Sequence, residues 1–120
     1  MGTTVSPSKT PLYSTMVVST SLGTTAQTDL LGGPVTIGSI FISNGSGTAF
    51  LKIYDDPSPT IGTTEPDLII EVAGSKTVNW WIDGGLTLVN GLSVCASDTP
   101  GKAAGSNPTT FNLRLGLSGT

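Results

Sequence analysis

Short segments in which apolar and polar residues alternate recur along the chain, separated by clusters of glycine, proline and asparagine. Alternation with a period of two predicts half-buried β-strands, and the intervening clusters predict turns. The clearest alternation is the last one, where every second residue from Phe111 to Leu117 is apolar. The pattern predicts strands over residues 12–20, 35–43, 49–54, 67–72, 76–82, 91–97 and 109–117.

Three local details refine this pattern. The segment 35–43 has apolar residues at both parities and Gly38 in its middle. We therefore expect a bend or bulge at Gly38, with one half of the strand facing the core and the other facing a neighbour. The sequence Asn44-Gly45-Ser46-Gly47 predicts a hairpin turn, and Asp83-Gly84-Gly85 predicts another turn. The one segment in which we expect a helical turn is 28–31.

Seven or eight short strands in 120 residues, without a repeat of fixed period, predict an all-β fold. We expect a single-domain antiparallel β-sandwich, either jelly-roll or immunoglobulin-like. Residues 1–11 contain Gly2, Pro7 and Pro11 among serines and threonines, a composition that favours neither helix nor sheet. We predict an extended N-terminal arm over 1–11 and the β-sandwich domain over 12–120.

The composition argues against a catalytic or metal-binding site. The chain has no His and one Cys, so a Ser-His-Asp or Cys-His arrangement and a Cys/His metal site are excluded. Cys95 lies between Val94 and Ala96 in a predicted strand, where a small buried side chain is expected. We predict no catalytic residue, no cofactor and no metal, and an enzyme is the least expected class. The net charge of −3 with scattered basic residues disfavours nucleic acid, and apolar runs of about four residues disfavour a membrane span.

The remaining features point to a surface that contacts other proteins. Only 11% of the residues are charged, whereas 33 are Ser or Thr, whose hydroxyls cost less to bury than unpaired charges. Trp80 and Trp81 are adjacent in a predicted strand and must point to opposite faces, so we expect one in the core and the other against an edge, a loop or a neighbour. Four acids around the loop 55–66 could bind Ca²⁺, but a solvated loop is the favoured interpretation.

A set of short motifs resembles small structural proteins of tailed bacteriophages. In those proteins a strand ending in "KLYD" is followed by a "PTVGTDTP" loop, an apolar strand and a "GL" strand. The resemblance covers residues 35–98, and the chain departs from it at 97–101, where an Ala-Asp run is usual. It implies a virion component with a β-sandwich fold, such as a capsid decoration (cement) protein or a fibre module. The matching segments are 51–55 (LKIYD), 59–63 (PTIGT), 66–70 (PDLII), 85–86 (GL) and 91–94 (GLSV).

The resemblance and the tryptophan pair together leave three functional hypotheses. The first is a decoration protein on the capsid exterior that bridges major capsid protein subunits, as a homotrimer with its arm laid across the shell. The second is a tail or head fibre module that binds a receptor through the loop 55–66. The third is a free carbohydrate-binding module that uses an exposed Trp80 or Trp81. The residues that we expect to contact partners are Val5, Pro7, Lys9 and Pro11 of the arm, Pro57, Pro59 and Ile61 of the loop, and Trp81.

Overall fold

The computed structural model describes residues 15–119, and this part of the chain folds into eight strands. The all-β prediction is confirmed. Within residues 15–119, no helix has the length and apolar character needed to cross a membrane. The strands are β1 (Thr15–Ser19), β2 (Gln27–Leu30), β3 (Val35–Asn44), β4 (Ala49–Asp55), β5 (Leu68–Val72), β6 (Thr77–Leu88), β7 (Leu92–Ser97) and β8 (Phe111–Gly119).

The strands form two antiparallel four-stranded sheets. Sheet A has the order β1-β8-β3-β6, and sheet B has the order β2-β7-β4-β5. This order is that of an eight-stranded jelly roll, one of the two predicted kinds of sandwich. The inner faces of the sheets pack on each other and bury one apolar core. Its members include Val35, Ile37, Ile40 and Ile42 of β3, Leu51 and Ile53 of β4, Val94 and Ala96 of β7, and Leu113, Leu115 and Leu117 of β8.

Strand β3 contains the predicted irregularity at Gly38. Its pairing with β8 shifts by one residue between Ile37 and Ser39, so Gly38 is an extra residue on the β3 side. One extra residue exchanges the two faces of a strand, because side chains alternate. Both halves of β3 therefore face the same core, and the expectation that one half faces a neighbour was wrong. The buried residues are Val35 and Ile37 before the bulge, and Ile40 and Ile42 after it.

Strand β6 runs through the predicted turn at 83–85. Trp81 of β6 is opposite Ser39 of β3, and the next paired residue of β6, Leu86, is opposite Ile37. Residues 82–85 therefore form a long bulge within β6. Gly84 and Gly85 have φ angles of 79° and 76°, a conformation that glycine tolerates without the strain of a Cβ. The glycines absorb the extra residues locally, and the chain does not reverse direction there.

Two other expectations concern the early part of the chain. The helical turn predicted over 28–31 was wrong, because Gln27–Leu30 forms the edge strand β2, which pairs with β7 through Gln27 and Leu30. Hydrogen bonding to β7 outweighed the weak local preference of these residues for a helical turn. The predicted first strand contains β1, whereas residues 12–14 and the predicted arm 1–11 lie outside the described residues.

Candidate functional site: two outer faces and a tryptophan cleft

The outer face of sheet B is covered by the chain itself. Its central side chains, Lys52 and Tyr54 of β4 and Cys95 of β7, are fully buried although they point away from the core. The Lys52 Nζ donates a hydrogen bond to the carbonyl oxygen of Ala103 at 2.6 Å, so the loop between β7 and β8 lies over this face. A buried ammonium needs such an acceptor, because desolvation without one costs several kcal/mol.

Several polar contacts hold the covering loops in place. The Asp98 carboxylate accepts hydrogen bonds from the Ser106 backbone N–H at 2.9 Å and from the Thr99 hydroxyl at 2.8 Å. These hydrogen bonds, the Ser106 one foremost, keep the pKa of Asp98 below its ordinary value. Lys102 forms an ion pair with Glu65 at 3.8 Å, which joins this loop to the proline-rich loop before β5.

Burial changes the pKa values of the groups beneath these loops. It lowers the pKa of Lys52, although Cys95 and Asp98 oppose that shift, and it raises the pKa of Cys95. Burial also raises the pKa of Tyr54, and the contact between its hydroxyl and Cys95 Sγ at 3.7 Å adds to this shift. Cys95 is buried, as predicted. A buried thiol whose pKa is raised is a poor nucleophile at neutral pH.

The outer face of sheet A, here called the bare face, has no such cover from the described chain. Residues directly opposite each other in an antiparallel pair share a face, so the strand register defines its rows. Four large apolar side chains on it are exposed: Met16 (45%), Val18 (55%), Phe41 (37%) and Trp81 (61%). One row is Val18, Arg114, Phe41 and Asn79, and the next is Met16, Gly116, Ser39 and Trp81.

Charge is nearly lacking on the bare face. In these two rows and in the neighbouring row of Asn112, Ser43 and Thr77, Arg114 is the single formally charged residue. Exposed Met, Phe, Trp and Arg side chains with few acids or lysines are the composition of the central part of protein interfaces. The bare face thus has the chemistry of a surface that contacts another protein.

A cleft opens at the side of the sandwich, where the edge strands β5 and β6 meet. It has a volume of about 370 Å³ and is here called the Trp cleft. Two indole rings and three aliphatic side chains give it apolar walls, and Asp83 contributes a carboxylate. Trp81 belongs to both the cleft and the bare face, so the two surfaces are continuous. The lining residues are Leu68, Trp80, Trp81, Ile82, Asp83 and Leu86.

The expectation that one tryptophan lies in the core was wrong. Trp80 is opposite Ile40 and so belongs to the inner face of sheet A, but it remains 48% exposed. Trp80 lies on β6, which is an edge strand of sheet A and has a neighbouring strand on one side only. Both indoles are accessible.

The predicted contact residues are dispersed. Trp81 lines the cleft, whereas Pro57 is exposed on the proline-rich loop, and Pro59 and Ile61 are half-buried there. No residue of 55–66 lines the Trp cleft. The other candidates, Val5, Pro7, Lys9 and Pro11, lie outside the described residues.

The aspartates around the proline-rich loop accept hydrogen bonds from backbone N–H groups and so hold the loop in place. Asp55 Oδ1 accepts from the Asn90 N–H at 2.8 Å, and Asp67 Oδ2 accepts from the Asp55 N–H at 2.6 Å. Asp56 Oδ1 accepts from the Ser58 N–H at 2.7 Å. Among residues 15–119, no group of three His, Cys, Asp or Glu side chains could hold a metal ion. These hydrogen bonds explain why acids flank the loop.

A second cleft, of about 460 Å³, lies between the end of β1 and the start of β2. Its lining is polar but uncharged, with hydroxyls from 19–21 and the Asn107 side chain. The Asn107 Oδ1 already accepts from the backbone N–H of Thr24 at 2.8 Å and from its hydroxyl at 3.1 Å. This cleft offers hydrogen-bonding groups but no acid, base or nucleophile beyond hydroxyls.

No family model matches the chain, and no curated protein or solved structure is significantly similar to it. A function is therefore inferred from the geometry of the site. Sequence reasoning singled out Trp81 but not Met16, Val18, Phe41 or Arg114, which share its face. Arg114 lies in the last predicted strand, where alternation is regular, whereas Met16, Val18 and Phe41 lie in predicted strands with apolar residues at both parities. The available signal was that the outward positions of the first and last strands include Met16, Val18 and Arg114 but no acid.

Proposed function

We propose that this chain is a non-enzymatic structural protein that docks on a protein assembly through the bare face. The observation that carries the proposal is the contrast in charge and cover: Met16, Val18, Phe41 and Trp81 are exposed around a single charge, Arg114, on a regular sheet surface. Isolated exposed apolar residues are ordinary, but a contiguous group on a charge-poor face is typical of interaction sites.

The dimensions of the face suit such a contact. Four strands spaced at about 4.8 Å give a width of about 19 Å, and about nine residues at 3.3 Å give a length of about 30 Å. The resulting area is roughly 570 Å², somewhat below the ~800 Å² per partner of a standard interface. The adjoining Trp cleft extends the surface toward that value.

The assembly that we propose is the shell of a tailed bacteriophage. The phage-like motifs at 51–55, 59–63 and 66–70 support this, and jelly rolls are common in capsid proteins. In this proposal the chain is a decoration protein on the capsid exterior, where it bridges subunits of the major capsid protein. Self-association as a homotrimer and contacts from the arm residues remain part of the same proposal. Each docked copy would stabilise the assembled state by mass action.

The test compares two matched variants for co-sedimentation with shells that lack this chain. Val18→Asp places a charge on the bare face, whereas Ile69→Asp places one on the outer face of sheet B, where Ile69 is also exposed. We expect Val18→Asp to weaken shell binding at least tenfold, because a carboxylate must then lose its water where an apolar side chain stood, even though Arg114 lies opposite it. Ile69→Asp should bind like the parent. Equal effects would refute docking through the bare face.

The abundance of the chain in virions tests the decoration role separately. Hundreds of copies per particle, near one per major capsid subunit, are expected from quantitative mass spectrometry. A few copies per particle would instead support the alternative of a tail or head fibre module. The proline-rich loop, with Pro57 exposed, is then the candidate receptor-binding tip.

The Trp cleft favours one further candidate, a carbohydrate-binding module. Exposed indoles stack on sugar rings, and Asp83 could accept hydrogen bonds from hydroxyls. This candidate predicts that neutral oligosaccharides change the tryptophan fluorescence of the isolated protein, and that no copies are found in virions. The jelly roll does not decide between the two, because lectins also use it.

A further inference from the structure

We infer that the Trp cleft is a pocket for an arginine side chain presented by the docked protein partner. The inference deepens the proposed function, on which it rests only for the source of that arginine. Its basis is the juxtaposition of the Trp80 and Trp81 indoles with the Asp83 carboxylate in one apolar cleft.

The residues that line the Trp cleft favour a cationic ligand. Indole faces carry negative partial charge and attract a guanidinium or ammonium placed within about 6 Å of the ring centre. Both indoles are accessible, Trp80 at 48% and Trp81 at 61%, so part of each residue is open to a ligand. Leu68, Ile82 and Leu86 provide apolar surface for the aliphatic stem of a long basic side chain.

The charges around the cleft select the same ligand. Asp83 is the single formally charged residue among its lining residues, and no basic residue lines it. Within residues 15–119, the one ion pair joins Lys102 to Glu65, so Asp83 has no cationic partner in that part of the chain. The net charge of −3 adds a weak general attraction for cations. A planar guanidinium can both stack on an indole and pair with a carboxylate, which makes arginine the better fit than lysine.

The position of the cleft fits a side chain that arrives with a docked partner. Trp81 lies on the bare face as well as in the cleft, so a protein covering the face also covers the cleft entrance. Exclusion of water by that partner would strengthen both the cation–π contact and the ion pair. An arginine here would therefore contribute to the specificity of the docking.

The test uses the isolated full chain and two small probes at matched ionic strength. N-acetyl-arginine amide is titrated against N-acetyl-citrulline amide, which has nearly the same shape without the charge. The chain contains only two tryptophans and both line the cleft, so tryptophan fluorescence, excited where tyrosine does not absorb, reports on this region. We expect saturable quenching by the arginine probe with half-saturation on the order of 10 mM, and at least fivefold weaker response to citrulline.

Matched variants locate the binding. Asp83→Asn should weaken the arginine response several-fold, whereas Glu71→Gln, which removes an exposed carboxylate from sheet B, should leave it unchanged. Equal responses to the two probes, equal effects of the two variants, or a response to neutral oligosaccharides alone would overturn the inference. Shell binding is measured separately: a chain that binds shells but not the arginine probe refutes the arginine pocket and leaves the proposed function standing.

Discussion

The outer faces of the two sheets differ in what covers them. On sheet B, Lys52, Tyr54 and Cys95 are buried beneath the loops of residues 98–110 and 56–67, which join through Lys102 and Glu65. On sheet A, no described loop performs this role, and the apolar side chains of the outer face remain exposed. Both faces carry large side chains at regular strand positions, so the difference comes from the connections between strands.

This difference separates residues that stabilise the fold from residues available to a partner. Side chains at the centre of the outer face of sheet B, such as Lys52, Tyr54 and Cys95, have already lost their water, and their contribution appears in the free energy of unfolding. Side chains on the bare face still have their water, and their apolar surface can contribute to binding instead. The jelly roll thus uses one outer face as a second core and leaves the other for contact.

The largest expected effect compares two aromatic residues, one on each outer face. Tyr54→Ala should lower the free energy of unfolding by about 3–5 kcal/mol, because it removes a fully buried ring and leaves a cavity. Trp81→Ala, although it removes a larger side chain, should cost less than about 1 kcal/mol because that ring is mostly exposed. Urea denaturation followed by circular dichroism measures both. Similar losses for the two variants would contradict the contrast between the faces.

An intermediate effect is expected at alkaline pH. Cys95 and Tyr54 have pKa values raised above the ordinary 9.0 and 10.0, so the folded state keeps protons that the unfolded state has lost. Stability must then fall as pH rises above about 9. Lys52, with a pKa lowered from 10.5, acts in the opposite direction, because its burial penalty disappears when it loses its proton. The contribution of Cys95 begins near pH 9 and that of Tyr54 near pH 10, whereas the opposing contribution of Lys52 ends near its ordinary pKa of 10.5. A net fall in stability is therefore expected above pH 10, at most about 1.4 kcal/mol per pH unit for each proton.

Urea denaturation at pH 10 and at pH 11 measures this fall. Tyr54→Phe keeps the ring and removes the ionisable hydroxyl, so it should reduce the difference between the two pH values. Trp81→Phe is the matched control on the bare face and should leave the difference unchanged. An alkaline loss as large in Tyr54→Phe as in the parent would assign it to groups outside the covered face.

The smallest expected effect concerns the ion pair between the covering loops. Both partners are exposed and 3.8 Å apart, so Lys102→Ala should change the free energy of unfolding by less than about 0.5 kcal/mol. Native-state labelling of Cys95 with a thiol reagent should remain slow, because the Lys52 contact with Ala103 still holds the loop. A labelling rate raised tenfold or more would instead show that the ion pair keeps the cover closed.

The strands were predictable where alternation was regular. Phe111, Leu113, Leu115 and Leu117 point to the core as their spacing indicated. A turn also forms at 44–47, where the Asn44 side-chain amide donates to the Gly47 carbonyl at 2.9 Å. The predicted hairpin was wrong, because this turn joins β3 of sheet A to β4 of sheet B, and these two strands do not pair. The sequence also indicated an irregularity at Gly38. It could not indicate that both halves of β3 face the core, because the direction of the side chains after a bulge depends on the register of β3 with β8.

The candidate site was less predictable. Alternation placed Trp80 and Trp81 on opposite faces, but their exposure depends on which strand lies across from them. Edge position is a property of strand order, and strand order comes from pairings between residues far apart in the chain, such as Ile40 with Trp80. The same holds for Arg114 and Phe41, which become neighbours only when β8 pairs with β3.

The sequence by itself determined the all-β sandwich, the burial of Cys95, and a charge-poor surface without the residues of conventional His-dependent catalysis. These follow from local alternation, turn residues and composition. The tertiary structure decided which outer face is covered and which is bare, and it decided that both tryptophans line one cleft together with Asp83. Those outcomes depend on strand order and on the paths of loops 56–67 and 98–110, which are set by the combined burial of the whole core.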